Sequence, residues 1–183
     1  EAAVVTRGPY LQMGTATTVT VRWRTDTPTD SRVRYGATPA SLNDFVDLAP
    51  ATTEHQVSLA GLVGGTRYFY SVGSTSTTLA GGADYFFLTA PGSGPDRPIR
   101  IWVVGDSGHA NASAAAVRDA YLAFTGPTYT NLWLMLGDNA YNSGLDSEYQ
   151  AAVFNQYARI LRQSVLWPTI GNHDAGGPTP YPY

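Results

Sequence analysis

Residues 99–108 read IRIWVVGDSG, and this stretch decides the fold. An apolar β-type run stops abruptly at Gly105-Asp106-Ser107-Gly108. The same pattern returns at residues 131–141, NLWLMLGDNAY, and at residues 164–174, SVLWPTIGNHD. Each time an apolar strand closes on Gly followed by a side chain able to bind a metal: Asp106, Asp138 and Asn172. A single Gly-Asp is ordinary turn chemistry. Three such endings in series point to one site at the carboxyl ends of three neighbouring strands.

The segments between these strands carry a helical period. Residues 111–124 place Val117, Tyr121 and Phe124 at i, i+4 and i+7, with Asn111 or Ser113 as cap and Gly126-Pro127 as breaker. Ser147-Glu148-Tyr149-Gln150 has capping-box spacing and predicts a second helix to about Arg162, with Tyr149, Val153, Tyr157 and Ile160 on its apolar stripe. The strands are expected at 99–104, 132–136 and 165–170, the last interrupted at Pro168. The order β-α-β-α-β predicts a parallel sheet with right-handed crossovers. Strands apolar throughout are expected to be covered on both faces. In such sheets ligands collect at the carboxyl ends of the strands.

Composition sets the limits. The chain has 183 residues, 43% of them hydrophobic, so a packed core is expected. A net charge of −3 gives no electrostatic case for a nucleic-acid-binding surface or an anionic membrane. No apolar run has the roughly 20 residues a membrane span needs. With no cysteine, disulfides and thiolate metal sites are excluded. Every basic residue is Arg, for which there is no physical account. The chain opens at Glu1 without a leader, as a processed mature chain would.

Residues 1–90 read as an all-β sandwich of about seven short strands. Residues 18–25 (TVTVRWRT) alternate, with Val19, Val21 and Trp23 on one face. Residues 66–72 (TRYFYSV) place Tyr68, Tyr70 and Val72 together. The other strands are expected near 4–11, 31–35, 43–48, 54–59 and 84–89. Leu59-Ala60-Gly61-Leu62 followed by Gly65-Thr66-Arg67-Tyr68 resembles the corner of a fibronectin type III-like domain, with Tyr68 as corner tyrosine. His55, alone in a strand, reads as structural, and the half as a packing or substrate-gating module. Residues 91–98, rich in Pro and Gly, read as the linker. Residues 99–183 are then a second, incomplete domain.

The strand-end residues suit two metal ions. Asp106 and Asp138 supply hard anionic oxygens, and a carboxylate can bridge two cations. Asn172 supplies a neutral carbonyl oxygen, and Tyr141, once deprotonated, a phenolate that prefers a trivalent ion such as Fe(III). Two metals roughly 3.5–4 Å apart clamp a phosphoryl group and activate a water.

GDSG, GDNAY and GNHD resemble, in order, the first three signature motifs of the purple acid phosphatases, within the calcineurin-like metallophosphoesterase superfamily. Two details support that subfamily. Gly108 stands where ordinary metallophosphoesterases carry a ligand His, and Tyr141 follows Asp138 by three residues. The resemblance implies that Asp106 binds Fe(III), that Asp138 bridges the ions, that Tyr141 binds Fe(III), and that Asn172 binds a divalent Zn, Fe or Mn. It makes His173 and Asp174 the catalytic pair: His173 orients phosphate or protonates the leaving group, and Asp174 holds its ring. His109 is placed at the substrate rim. Asn139 and Asn142 read as loop-shaping residues, Asp146 and Asp119 as helix-start and helix-surface charges.

The implied activity is hydrolysis of phosphate monoesters through attack by a metal-bound hydroxide, by a secreted, periplasmic or extracellular acid phosphatase. The alternatives are a phosphodiesterase or nucleotide-cleaving enzyme of the same superfamily, and a non-catalytic remnant acting as a binding module. The family pattern has two further motifs carrying three His ligands, and no histidine follows His173. A second chain or a further C-terminal segment is therefore the expected partner, besides the phosphoester substrate. This chain alone is expected to be an inactive part of the enzyme, with a sheet edge and apolar surface left uncovered.

Overall fold

A computed structural model of the chain describes residues 2–92, 94 and 98–177. Much of the expected linker (93, 95–97) and the end of the tail (178–183) lie outside the described residues. The chain forms two compact units, Glu1–Pro98 with Leu161–Val165, and Ile99–Ile160 with Leu166–Tyr183.

Alternation builds the first unit. Strands β1 (Val5–Gln12), β2 (Val19–Gly36), β3 (Asp44–Leu59), β4 (Arg67–Gly73), β5 (Thr78–Ala80) and β6 (Phe86–Leu88) follow in order. On either side of residues 26–30, alternate residues of β2 face a core of Leu11, Val21, Trp23, Val33, Val57, Leu59, Tyr70, Val72 and Phe87. β2 pairs antiparallel with β1, β3 and β4, and β4 pairs with β5 and β6. The Tyr68 hydroxyl accepts the Val63 N–H at 3.0 Å, as a corner tyrosine does.

Two expectations change here. Residues 18–25 and 31–35 are one strand, and so are 43–48 and 54–59. The turn-like run Asp26-Thr27-Pro28-Thr29-Asp30 does not end β2; it is absorbed as a pair of register shifts between Arg24 and Ser31. His55 pins this irregularity. Its ring stacks on Trp23 at 4.5 Å, and its nitrogens meet Thr25 Oγ1 at 2.9 Å and Ser31 Oγ at 2.8 Å, one hydroxyl from each side of the shift. The short β5 is a strand that the sequence reading does not contain.

The second unit carries the parallel sheet. β7 (Ile101–Val104) and β8 (Leu132–Met135) pair in parallel, Ile101 opposite Leu132 through Val104 opposite Met135. β9 (Val165–Pro168) neighbours β8. Between β7 and β8 runs α1 (Ala112–Thr125), capped by Asn111, whose Oδ1 accepts the Ala114 N–H at 3.0 Å. The second crossover is broken into α2 (Asp146–Tyr149), a π-helical turn (Gln150–Asn155) and α3 (Ala158–Leu161). The cap also differs from expectation. It falls at Leu145, whose N–H donates to Glu148 in place of Gln150; leucine has no side-chain acceptor, so only that half of a capping box forms.

One face of β7 and β8 is buried, and the other is exposed on β7 and half-buried on β8. Trp102, Trp133 and Met135 are buried, with Trp102 stacked on Tyr121 at 4.2 Å and Trp133 against Tyr157 at 4.8 Å. Ile101 and Val103 remain 48% and 52% exposed. Successive right-handed crossovers that advance in one direction put both helices on the same side. Among the described residues no helix is long and apolar enough to cross a membrane.

Candidate metal centre

The ends of β7 and β8 are tied together by backbone. Asp106 N–H donates to Gly137 O at 3.1 Å, Gly108 N–H to Asp138 O at 3.0 Å, and Tyr141 N–H to Gly108 O at 3.1 Å. A side chain at Gly108 has no room, since a Cβ there would lie 2.6 Å from Ala140 N and 2.7 Å from Asp138 O. Asp106 and Asp138 both sit in the left-handed region, with φ of 53° and 52°. For a non-glycine residue this is an uncommon backbone held by its surroundings, and such positions gather at functional sites.

This backbone turns three oxygen donors on one point. The Tyr141 hydroxyl lies 3.1 Å from Asp106 Oδ1 and 3.3 Å from Asp138 Oδ2. Burial, then the hydrogen bond and charge of Asp106, then Asp138, push the Tyr141 phenol up to about 12. The phenol donates between the two carboxylates. Among the described residues no cluster of three or more His, Cys, Asp or Glu side chains forms. The converging donors are two carboxylates and a phenol.

The loop after β9 approaches the same point through Gly171. A Cβ there would lie 2.2 Å from both the backbone nitrogen and Oδ1 of Asp138. His173 N–H donates to Asp138 Oδ1 at 2.9 Å, which places Asn172, exposed, between two residues fixed on Asp138. The His173 ring lies edge-on to Tyr141 at 4.6 Å, and His109 stacks on Tyr141 at 4.3 Å. His109, Asp106, Ser107 and Asn111 line a cavity of about 250 Å³.

Asp174 does not hold the His173 ring. His173 Nδ1 lies 2.8 Å from the Asn142 carbonyl, which fixes Nδ1–H as donor. Asp174 is fully buried, and its carboxylate accepts from Asn139 N, Ala140 N, Gly171 N, Asn139 Nδ2 and the Tyr149 hydroxyl. Glu148 accepts the N–H groups of Asn142, Ser143 and Leu145. Burial raises its pKa, and these bonds outweigh that and hold it below the usual value. The sequence reading placed Glu148 in a capping-box run and Tyr149 on an apolar stripe, and gave neither a part in the site. The available signal for Tyr149 was its place on a buried stripe, where a phenol requires a polar partner.

Comparison with known proteins bears on the family of the first unit and on the fold. Residues 7–89 match the family model of the purple acid phosphatase N-terminal domain. The chain is 27% identical over 125 residues to a purple acid phosphatase of Glycine max, a match covering 66% of this chain and 25% of the relative. A match of that length runs on past residue 89. A solved structure of PhoD superposes with a TM-score of 0.67 at 12% identity, over 92% of this chain and 39% of that one, a likeness of fold alone. A human third fibronectin III domain superposes at 0.36 with 19% identity, over 53% of this chain and 90% of its own length. Residues 7–89 are thus similar to the purple acid phosphatase N-terminal domain. The chain spans about a quarter of the soybean relative's length.

Proposed function

We propose that the second unit supplies the first part of the dinuclear metal centre of a phosphatase that hydrolyses phosphate monoesters. The convergence of Asp106, Asp138 and Tyr141 oxygens within 3.1–3.3 Å carries this reading. The donor set fits the metals: hard oxygens, one of them a phenol, at strand ends where glycine lets backbones close in. Asp106 and Tyr141 would hold Fe(III), Asp138 would bridge, and Asn172 would hold a divalent Zn, Fe or Mn. When bound, the ions supply Lewis-acid activation of water and charge stabilisation at the phosphoryl group.

The protein's own residues do the rest. With Nδ1–H committed to the Asn142 carbonyl, the Nε2 of His173 is left to face substrate. In the imidazolium form Nε2–H donates to a phosphate oxygen and passes its proton to the leaving oxygen as the ester bond breaks. His109 lines the rim beside Tyr141. Three further His ligands would come from a second chain or a C-terminal segment beyond these residues, and the enzyme is proposed to act outside the cytoplasm.

The test is turnover of p-nitrophenyl phosphate by the metal-loaded, full-length enzyme. Asp138→Asn is expected to lower kcat by about 10²–10³-fold, the loss of several kcal/mol of transition-state stabilisation. An unchanged kcat would sink the reading.

A further inference from the structure

We propose that Asp174 is a positioning residue: it locks the loops after β8 and β9 into the arrangement that aims Asp138, Tyr141 and Asn172. The inference rests on the metal-centre reading only for its consequence on metal affinity; the locking itself is a matter of geometry.

Asp174 is a carboxylate with no exposure to water. Such a group is costly unless its oxygens are saturated with donors. Here they are. Oδ1 accepts from Asn139 N at 3.0 Å, Ala140 N at 3.1 Å and the Tyr149 hydroxyl at 2.7 Å. Oδ2 accepts from Gly171 N at 2.9 Å, Asn139 Nδ2 at 3.1 Å and Asn139 N at 3.1 Å. The backbone donors are the residues directly after Asp138, directly before Tyr141 and directly before Asn172. One buried carboxylate therefore holds the chain beside three of the four proposed ligands, and Tyr149 ties it to α2. Glycine completes the fit: a Cβ at Gly144 would lie 2.5 Å from the Asp174 carbonyl oxygen. The His173 N–H bond to Asp138 is the test of registration, because it joins the same two loops without touching the Asp174 carboxylate.

The experiment compares wild type, Asp174→Asn and Tyr149→Phe, each in the full-length enzyme, by amide hydrogen exchange and by Mn(II) binding followed by EPR. An Asn side chain turns one oxygen into a donor facing N–H groups, and Phe removes only the hydroxyl. Asp174→Asn is expected to speed exchange of the His173 amide at least about tenfold, with amides of Val21 and Val57 in the first unit unchanged. Tyr149→Phe is expected to give a smaller increase in the same direction, and decides the matter if Asp174→Asn leaves the second unit unfolded. Mn(II) affinity is expected to fall about 10–100-fold in Asp174→Asn. A His173 amide as protected in the folded variants as in wild type overturns the proposal. Wild-type protein that binds no Mn(II) overturns the metal-centre reading instead, while the exchange result still decides the role of Asp174.

Discussion

At the scale of single residues, Gly171 and Tyr141 carry sharp consequences. Gly171→Ala would drive a methyl into Asp138, whose Oδ1 and backbone nitrogen are 2.2 Å from the Cβ position. Forced repacking of this kind costs about 1–3 kcal/mol. Isothermal titration with Mn(II) is expected to show at least tenfold weaker binding, and unaltered binding would mean the loops have slack the geometry denies them. Tyr141, its phenol pushed up to about 12 by burial and then by Asp106 and Asp138, should ionise well above the ordinary 10 in metal-free protein. The ultraviolet difference titration between wild type and Tyr141→Phe isolates it. Replacing Asp106 with Asn should bring the transition down toward the ordinary 10. The oxygens of Asp106, Asp138 and Tyr141 were legible in the sequence because each follows a strand end at short, fixed spacing. The role of Asp174 was not. Adjacency to His173 suggested a His–Asp pair, whereas the turn at residues 171–174 sends the carboxylate inward to backbone that only the folded loops supply.

At the scale of elements, two polar devices hold irregular backbone in place. Glu148 closes the start of α2 on three N–H groups of the loop after Tyr141. Glu148→Ala is expected to lower the unfolding free energy of the second unit by about 1–2 kcal/mol, read by urea denaturation. His55 does comparable work at the register shift of β2. Burial lowers its pKa below the ordinary 6.5, since the neutral ring is what Trp23, Thr25 and Ser31 accept. The unfolded chain therefore binds a proton that the folded chain refuses. Stability is full above about 6.5 and falls as pH drops below it. The thermal midpoint of the first unit, followed by Trp23 fluorescence, should decline between pH 7.5 and 5.5, and His55→Gln should flatten that decline. Periodicity located these elements well. It split β2 and β3 because Asp, Pro and Thr at 26–30 are turn formers, and nothing local says that two register shifts will carry the ribbon through. It also set the second helix's cap two residues late, because a Leu at the cap position carries no side-chain signal.

At the scale of the molecule, an all-β unit that matches the purple acid phosphatase N-terminal domain over residues 7–89 precedes a unit whose parallel strand ends gather hard oxygen donors. The one-sided cover on β7, with Ile101 and Val103 half exposed, follows from the direction of the crossovers. The central claim is that Asp106, Asp138 and Tyr141 form an iron site. Its most direct test is the visible absorption spectrum of the full-length enzyme titrated with Fe(III). A tyrosinate-to-iron band that appears in wild type and is lost in Tyr141→Phe is the predicted result. No band in wild type, or the same band in the variant, would contradict it.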